Sequence, residues 1–116
     1  MRVRVPTELQ IMGKKVTVAY MDKVNFDGED LSGACMAGAN LIMLSLSEHD
    51  TEEELLSTLS HETAHYIIAK SGLSELLGEE KEEAAVVSIE ENLLPLFRWN
   101  RRKWRKIIEV ELADKD

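Results

Sequence analysis

Polar and hydrophobic residues alternate along the first part of the chain, and a period of two is typical of β-strands with one buried face. Gly13-Lys14 suits a hairpin turn, so this part predicts two antiparallel strands. Residues 22–33 are rich in Asp, Asn and Gly and predict a loop with at most one short helical turn. Residues 34–37 and 40–46 predict a further pair of strands. The alternating hydrophobic positions are Val3, Val5, Leu9, Ile11, Val16, Val18 and Tyr20.

After Thr51 the hydrophobic residues recur at intervals of three and four, which indicates an amphipathic helix. Thr51 and Glu54 have the spacing of a capping box, in which each residue satisfies a free amide of the first turn. Ser71-Gly72 supplies a stop, because glycine can adopt the left-handed conformation that ends a helix. We therefore predict a first helix over about residues 52–71.

A second helix is predicted from about Glu79. Pro95 should kink or restart this helix, because proline has no amide hydrogen and its ring clashes with the preceding turn. A third helical piece over about residues 97–108 and a tail over residues 110–116 complete the predicted elements.

These elements predict a single α+β domain over residues 1–116. The chain is near the lower end of domain size, so the core and any active site must share a few elements. We expect a small, mostly antiparallel sheet of three to four strands packed against the first helix and one or two further helices. The predicted parts are a strand-rich region over 1–50, two helices over 51–97, and a basic helix with a C-terminal tail over 98–116.

Composition narrows the class of protein further. Hydrophobic residues make up 44% and charged residues 31% of the chain, which is typical of a folded protein. No stretch approaches the roughly 18 to 20 apolar residues of a membrane span, and the N-terminus lacks the apolar region of a signal peptide. We therefore expect a cytoplasmic protein that does not bind membranes. The net charge of −8 argues against general affinity for nucleic acid. Cys35 has no disulfide partner and is interpreted as a half-buried strand residue.

His61-Glu62-Thr63-Ala64-His65 contains the pattern His-Glu-x-x-His inside the first helix. Four-residue spacing places both imidazoles on one face, where they can bind one metal ion. Glu62 is rotated away from the two ligands and can deprotonate a water molecule that zinc activates. For this composition, roughly 0.01 matches to the pattern are expected by chance. The motif therefore predicts one bound zinc ion, with Glu62 as the catalytic base.

A catalytic zinc ion normally has three protein ligands, so one more ligand is needed. His49 is the remaining histidine, but it precedes the motif helix and is expected in a solvated loop. The acidic start of the second helix, residues 79–83, is the better source if the two helices pack as an antiparallel pair. Most of these acids are expected to be a solvated face, favoured by the helix dipole.

The motif helix, the Ser71-Gly72-Leu73 turn and a glutamate on the next helix resemble the gluzincins, a family of zinc metallopeptidases. The whole chain resembles the minigluzincins and related small phage-type peptidases. The matching segments are 33–35, 61–65 and 83–94. This resemblance implies a minimal zincin-like fold and peptide-bond hydrolysis, with His61, His65 and a glutamate of the second helix as zinc ligands.

Glu83 matches the family's third ligand best, 18 positions after His65. Helical spacing complicates the choice, because Glu82 heads the more strongly apolar stripe of the helix. Glu90, two turns after Glu83, could instead orient a ligand histidine, or be an ordinary surface residue.

The chain departs from the larger gluzincins in two respects. They carry an acidic residue four positions after the ligand glutamate, where this chain has Val87. They also use a later Tyr or His to stabilise the oxyanion, and neither residue follows Tyr66. Stabilisation of the oxyanion would then come from zinc, a strand amide or an arginine such as Arg98.

The resemblance implies a peptide or protein substrate that adds to the strand around residues 33–37. Residues 107–112 alternate apolar and acidic side chains and could lie in the same cleft, keeping the enzyme latent as a zymogen. Self-inhibition by this tail or by a homodimer is thus one hypothesis, and an ordinary chain end is the other. A zinc-stabilised interaction or regulatory module with little hydrolytic activity is the alternative function.

A cluster of basic residues and two tryptophans lies near the C-terminus. Such a combination can bind single-stranded nucleic acid. A solvated face that balances the acidic second helix is the favoured interpretation, and nucleic acid is an unlikely partner. The cluster consists of Arg98, Trp99, Arg101, Arg102, Lys103, Trp104, Arg105 and Lys106.

Overall fold

The computed structural model describes residues 1–104 and 106–112, and its architecture is α+β. It has two helices and a mostly antiparallel sheet, as predicted, and the first helix packs on the sheet while the second packs on the first. The strands of this part are Arg2–Pro6 (β1), Glu8–Ile11 (β2), Lys14–Met21 (β3), Val24–Phe26 (β4), Glu29–Leu31 (β5), Gly33–Met36 (β6), Leu41–Ser45 (β7) and Ile107–Glu111 (β8). The helices are Glu52–Lys70 (α1) and Leu73–Trp99 (α2), with 3-10 turns at Ala37–Ala39 and Arg101–Lys103.

The central sheet has the strand order β2, β3, β7, β6. The predicted hairpin joins β2 to β3 through Met12 and Gly13, both with positive φ. β3 then pairs with β7 in parallel, and β7 pairs with β6 antiparallel. Consequently β6 is an edge strand, and α1 packs against β6 and β7.

The prediction of a loop over residues 22–33 was wrong, because β4 and β5 form an antiparallel hairpin there. Asp27 and Gly28 both have positive φ at its turn, which matches the twist that two-residue hairpin turns require. The Asn25 side chain donates to Asp30 Oδ1 at 2.9 Å and accepts from the Gly28 amide at 3.2 Å. These local bonds let a polar segment form strands.

Helix α1 begins and ends close to the predicted residues. The Thr51 hydroxyl accepts from the Glu54 amide at 3.1 Å, as a capping box requires. The Glu54 carboxylate accepts from the Asp50 amide at 2.8 Å. A capping box would use the amide of the next residue, Thr51. Ser71 caps the C-terminus and Gly72 has a φ of 75°, so the predicted stop is confirmed.

Helix α2 differs from the prediction in its start and in its break. It begins earlier, at Leu73, and is interrupted at Gly78, with φ 75° and ψ 167°, so the part after the break starts at the predicted Glu79. The helix continues through Pro95 to Trp99, so the expected restart at Pro95 was wrong. Pro95 is exposed, where water can bond the carbonyl that its missing amide leaves free.

The C-terminal segment is a strand and not the predicted helix and tail. After the 3-10 turn at Arg101–Lys103, β8 pairs antiparallel with β1 from Pro6 to Arg2. Val110 and Leu112 are buried in the main core, so burial of apolar area favours this pairing. Residues 107–112 therefore lie along β1 and not in a cleft beside β6. Arg105 and residues 113–116 of the predicted basic cluster and tail lie outside the described residues.

The main core lies between the central sheet, the β1/β8 pair and the inner face of α1. A second, smaller cluster of Ala64, Ile68 and Val86 joins α1 to α2. No helix in the described part of the chain combines the length and the apolar character needed to cross a membrane. The largest fully buried side chains include Val5, Val16, Ile42, Leu44, Leu55, Leu56, Leu59, Tyr66 and Leu112.

Candidate metal centre

His61 and His65 lie one turn apart on the side of α1 that faces α2. Their ring centroids are 4.9 Å apart and the ring planes are inclined by 66°. The opposite side of α1 is anchored in the core, where the Tyr66 hydroxyl donates to Asn40 Oδ1 at 2.6 Å. This anchoring fixes the rotation of α1 and directs both imidazoles toward α2.

Glu83 of α2 contacts both imidazoles at the same time. Its Oε1 lies 2.9 Å from His61 Nε2, and its Oε2 lies 3.1 Å from His65 Nε2. One ligand atom from each of the three residues can be chosen so that all lie within 4.8 Å of one another. Zinc bonds of about 2.0 to 2.2 Å at tetrahedral angles place ligand atoms about 3.3 Å apart, close to the two shorter distances.

The other nitrogen of each imidazole contacts a different glutamate of α2. His61 Nδ1 lies 2.8 Å from Glu90 Oε2, and His65 Nδ1 lies 2.6 Å from Glu82 Oε2. Because α2 runs antiparallel to α1, the later glutamate meets the earlier histidine. A hydrogen bond from the Ser74 side chain holds the pKa of Glu82 below its usual range, aided by His65. Glu82 and Glu90 are thus placed to orient the two rings.

The hydrogens on the imidazoles are too few for all four contacts if both rings are neutral. A neutral imidazole carries one N–H. When each Nδ1 donates to Glu82 or Glu90, each Nε2 presents a lone pair to Glu83, and two acceptors at such short range repel. A cation between them, or protonation of both rings, removes this repulsion. The donor set of two imidazoles and one carboxylate fits a divalent ion such as zinc.

Glu62 is buried between α1 and the sheet, next to the two histidines in sequence. Burial raises its pKa above the usual range, and the neighbouring imidazoles oppose this shift. Together with His65 and Glu82, it lines an open cavity of about 270 Å³ that reaches Cys35 and Ala37. A small molecule or chain segment beside β6 therefore has access to the Glu62 carboxylate.

A second cavity of about 500 Å³ adjoins His65 and Glu83 on the side of the Gly78 break. Glu75 and Glu79 line it and are exposed. This flank of the cluster is strongly acidic, so a positively charged group gains favourable electrostatic interaction there.

Two residues considered from the sequence lie outside the cluster. His49 is buried, so its expected place in a solvated loop was wrong. Its Nδ1 donates to the Ser45 carbonyl at 2.5 Å, and its Nε2 lies 2.7 Å from Thr58 Oγ1. Arg98 forms an ion pair with Glu53 at 3.0 Å. Glu53 precedes His61 by eight residues, or about 12 Å of helix, so Arg98 is not at the cluster.

The contact of Ser74 with Glu82 was not predicted from the sequence. Ser74 precedes the predicted start of the second helix, and only the break at Gly78 brings it beside Glu82. The sequence did contain one indication that Glu82 faces α1: it lies on the same apolar stripe as Val86, which packs on α1.

Comparisons with protein-family models, with curated proteins and with solved structures found no match to this chain.

Proposed function

We propose that the protein is a zinc-dependent peptidase of the gluzincin type, with a minimal zincin-like fold. One observation carries the proposal: Glu83 places one oxygen beside each Nε2 of the motif histidines, while Glu82 and Glu90 occupy both Nδ1 atoms. Histidine ligands of zinc usually donate their other N–H to a carboxylate or carbonyl. Both histidines meet this condition.

His61, His65 and Glu83 would hold one zinc ion, leaving its fourth position open. When bound, zinc supplies Lewis-acid polarisation and lowers the pKa of water. Glu62 accepts a proton from the attacking water as a C–O bond forms at the peptide carbonyl. It returns this proton to the amide nitrogen as the C–N bond breaks, which leaves a carboxylic acid and an amine. A buried carboxylate with a raised pKa suits both transfers.

The edge strand β6 is the proposed site for the substrate backbone. Within the described residues β6 pairs with β7 on one side, so its other edge can bond an extended peptide. Gly33 permits close packing of β6 on α1, because a Cβ there would lie 2.9 Å from side-chain atoms of both Leu44 and Thr58. The acidic flank of the cluster favours substrates with a basic side chain.

Of the groups that the sequence suggested for stabilising the oxyanion, Arg98 lies away from the cluster. Arg98 is held by Glu53, far along α1. A zinc ion and the outward amides of β6 remain as the proposed sources: the cation would attract the developing negative charge, and the amides would donate hydrogen bonds to it.

The test compares the Glu62→Gln chain with the matched Glu91→Gln control, which changes an exposed glutamate of α2 outside the cluster. Elemental analysis is expected to give one zinc per chain in all three proteins. Hydrolysis of a mixed peptide library, followed by mass spectrometry, should fall about 10² to 10⁴-fold in Glu62→Gln only. A parent chain without zinc, or one that hydrolyses no peptide, would reject the peptidase, and bound zinc without hydrolysis would favour an interaction module. Equal hydrolysis by Glu62→Gln and Glu91→Gln would exclude Glu62 as the base.

A further inference from the structure

A groove lies on the side of the central sheet opposite β6, between residues 8–10 of β2 and residues 93–104. We call it the β2 groove. It has a volume of about 350 Å³ and is lined mainly by apolar side chains, among them Leu9, Phe97 and Trp104. None of its lining residues belongs to the His/Glu cluster.

The surface around the β2 groove exposes unusually large apolar groups. Leu96 lines the groove and is 55% exposed, and Trp99 nearby on α2 is 87% exposed. Water contact with such side chains is unfavourable, and clustered exposed apolar groups often mark interaction sites. The groove therefore has apolar area that a partner could bury.

The backbone of β2 offers a second means of binding. β2 is the other edge of the central sheet and pairs with β3. Among residues 1–104 and 106–112, no strand pairs with its outer side. An extended peptide can add to such an edge through main-chain hydrogen bonds while alternate side chains enter a neighbouring groove.

Charge identifies the chemistry of the peptide. Lys103 lines the groove, and Lys15 and Lys106 border it through ion pairs to Glu8 at 3.2 and 3.6 Å. Three lysines and one carboxylate, Glu8, therefore lie at the groove, in a chain whose net charge is −8. This locally basic rim attracts carboxylates.

Two arginines of the basic cluster are already used within the fold. Arg98 pairs with Glu53 and Arg101 pairs with Glu52, which fastens the end of α2 to the start of α1. Each of these two arginines already has a carboxylate partner, which lowers the positive charge that the described part of the cluster offers to a phosphate backbone. A protein segment is thus the better match than nucleic acid.

We propose that the β2 groove docks an extended, acidic peptide segment of a partner protein, with apolar side chains between Leu9 and Leu96 and carboxylates on Lys103. The site does not depend on the peptidase activity.

The probe is a fluorescein-labelled peptide, Glu-Leu-Glu-Phe-Glu-Leu-Glu, titrated with the full chain and followed by fluorescence anisotropy. Saturable binding is expected. Leu96→Glu should weaken it about tenfold or more, which corresponds to a loss of about 1.4 kcal/mol. Leu76→Glu makes the same change at a residue of α2 that is 79% exposed and remote from the groove, and should leave affinity unchanged.

Charge is tested with Lys103→Glu against Lys81→Glu, an exposed lysine elsewhere on α2. Only the first should weaken binding, and a peptide with Lys in place of Glu should not bind. Equal affinities for Leu96→Glu and Leu76→Glu would overturn the proposal, as would absence of saturable binding. Two further results would overturn it: self-association of the chain that Leu96→Glu abolishes, or binding of a single-stranded oligonucleotide that is tighter than binding of the acidic peptide and is abolished by Leu96→Glu.

Discussion

At the scale of single residues, the two nitrogens of each motif histidine have different partners. Nδ1 lies against Glu82 or Glu90, and Nε2 lies against Glu83. A carboxylate at Nδ1 fixes the tautomer and the orientation of the ring. A carboxylate at Nε2 lies beside the nitrogen that would bind a metal ion, so it could bind the same ion. The neighbouring glutamates Glu82 and Glu83 therefore have separate roles in the proposed site.

We predict that Glu83→Gln loses more zinc affinity than Glu82→Gln. Removal of an orienting carboxylate costs about 10 to 100-fold in metal affinity, and loss of a ligand should exceed this. Zinc dissociation constants from competition with a chromophoric chelator measure both effects, with Glu80→Gln as the exposed control. A larger loss in Glu82→Gln would assign the third ligand to Glu82.

Cys35 lies in β6 and is half-buried, as the sequence predicted. Burial, with smaller contributions from the charges of Glu62 and Glu82, raises the pKa of its thiol to about 11. Since the thiolate is the reactive form, the thiol should react slowly at neutral pH.

We predict that the rate of Cys35 alkylation by iodoacetamide rises with pH up to about 11. At pH 8 only about one thiol in a thousand is ionised, against roughly a quarter for a free thiol of pKa about 8.5. Mass spectrometry of timed samples gives the rates, with glutathione as reference. Alkylation at pH 8 as fast as that of glutathione would contradict a raised pKa.

At the scale of elements, α2 is the helix whose shape the sequence described least well. Proline suggested a break at Pro95, but the backbone departs from helical geometry at Gly78. The φ and ψ of Gly78 fall in a region that residues with a Cβ hardly adopt. The break turns the first part of α2 so that Ser74 reaches Glu82.

We predict that Gly78→Ala lowers the free energy of unfolding by about 1 to 3 kcal/mol, the usual cost of such backbone strain. Gly38→Ala is the control, because Gly38 lacks a positive φ and a Cβ there meets no atom within 4 Å. Urea denaturation followed by circular dichroism measures both. Similar losses of unfolding free energy in the two variants would mean that adding a Cβ at Gly78 causes no backbone strain.

At the scale of the whole molecule, the first strand and the last strand of the described residues meet in the β1/β8 pair. The Leu112 amide donates to the Met1 carbonyl at 2.8 Å, and Val110 packs in the main core. In this arrangement residues 107–111 form a structural strand beside β1.

We predict that Val110→Ala destabilises the protein by about 1 to 3 kcal/mol, because it removes a buried side chain and leaves a cavity. Ile108→Ala, on the same strand, should cost less, since Ile108 is 43% exposed and Val110 only 7%. Thermal denaturation gives the comparison. A gain of peptide hydrolysis in either variant without loss of stability would instead support latency through this segment.

Local patterns determined much of this protein. The capping residues and the three- and four-residue spacing predicted α1, alternation predicted the β2/β3 hairpin, and four-residue spacing placed His61 and His65 on one face. These features depend on neighbours within one or two turns, so the sequence contains their causes.

Only the tertiary structure decided which glutamate meets which imidazole nitrogen, and where the C-terminal segment pairs. The choice among Glu82, Glu83 and Glu90 depends on the rotation and direction of α2 against α1, set by packing of Val86 on Ala64 and Ile68. The β1/β8 pair joins residues more than 100 positions apart. Such contacts are fixed by burial of apolar area across the whole fold, which local periodicity does not specify.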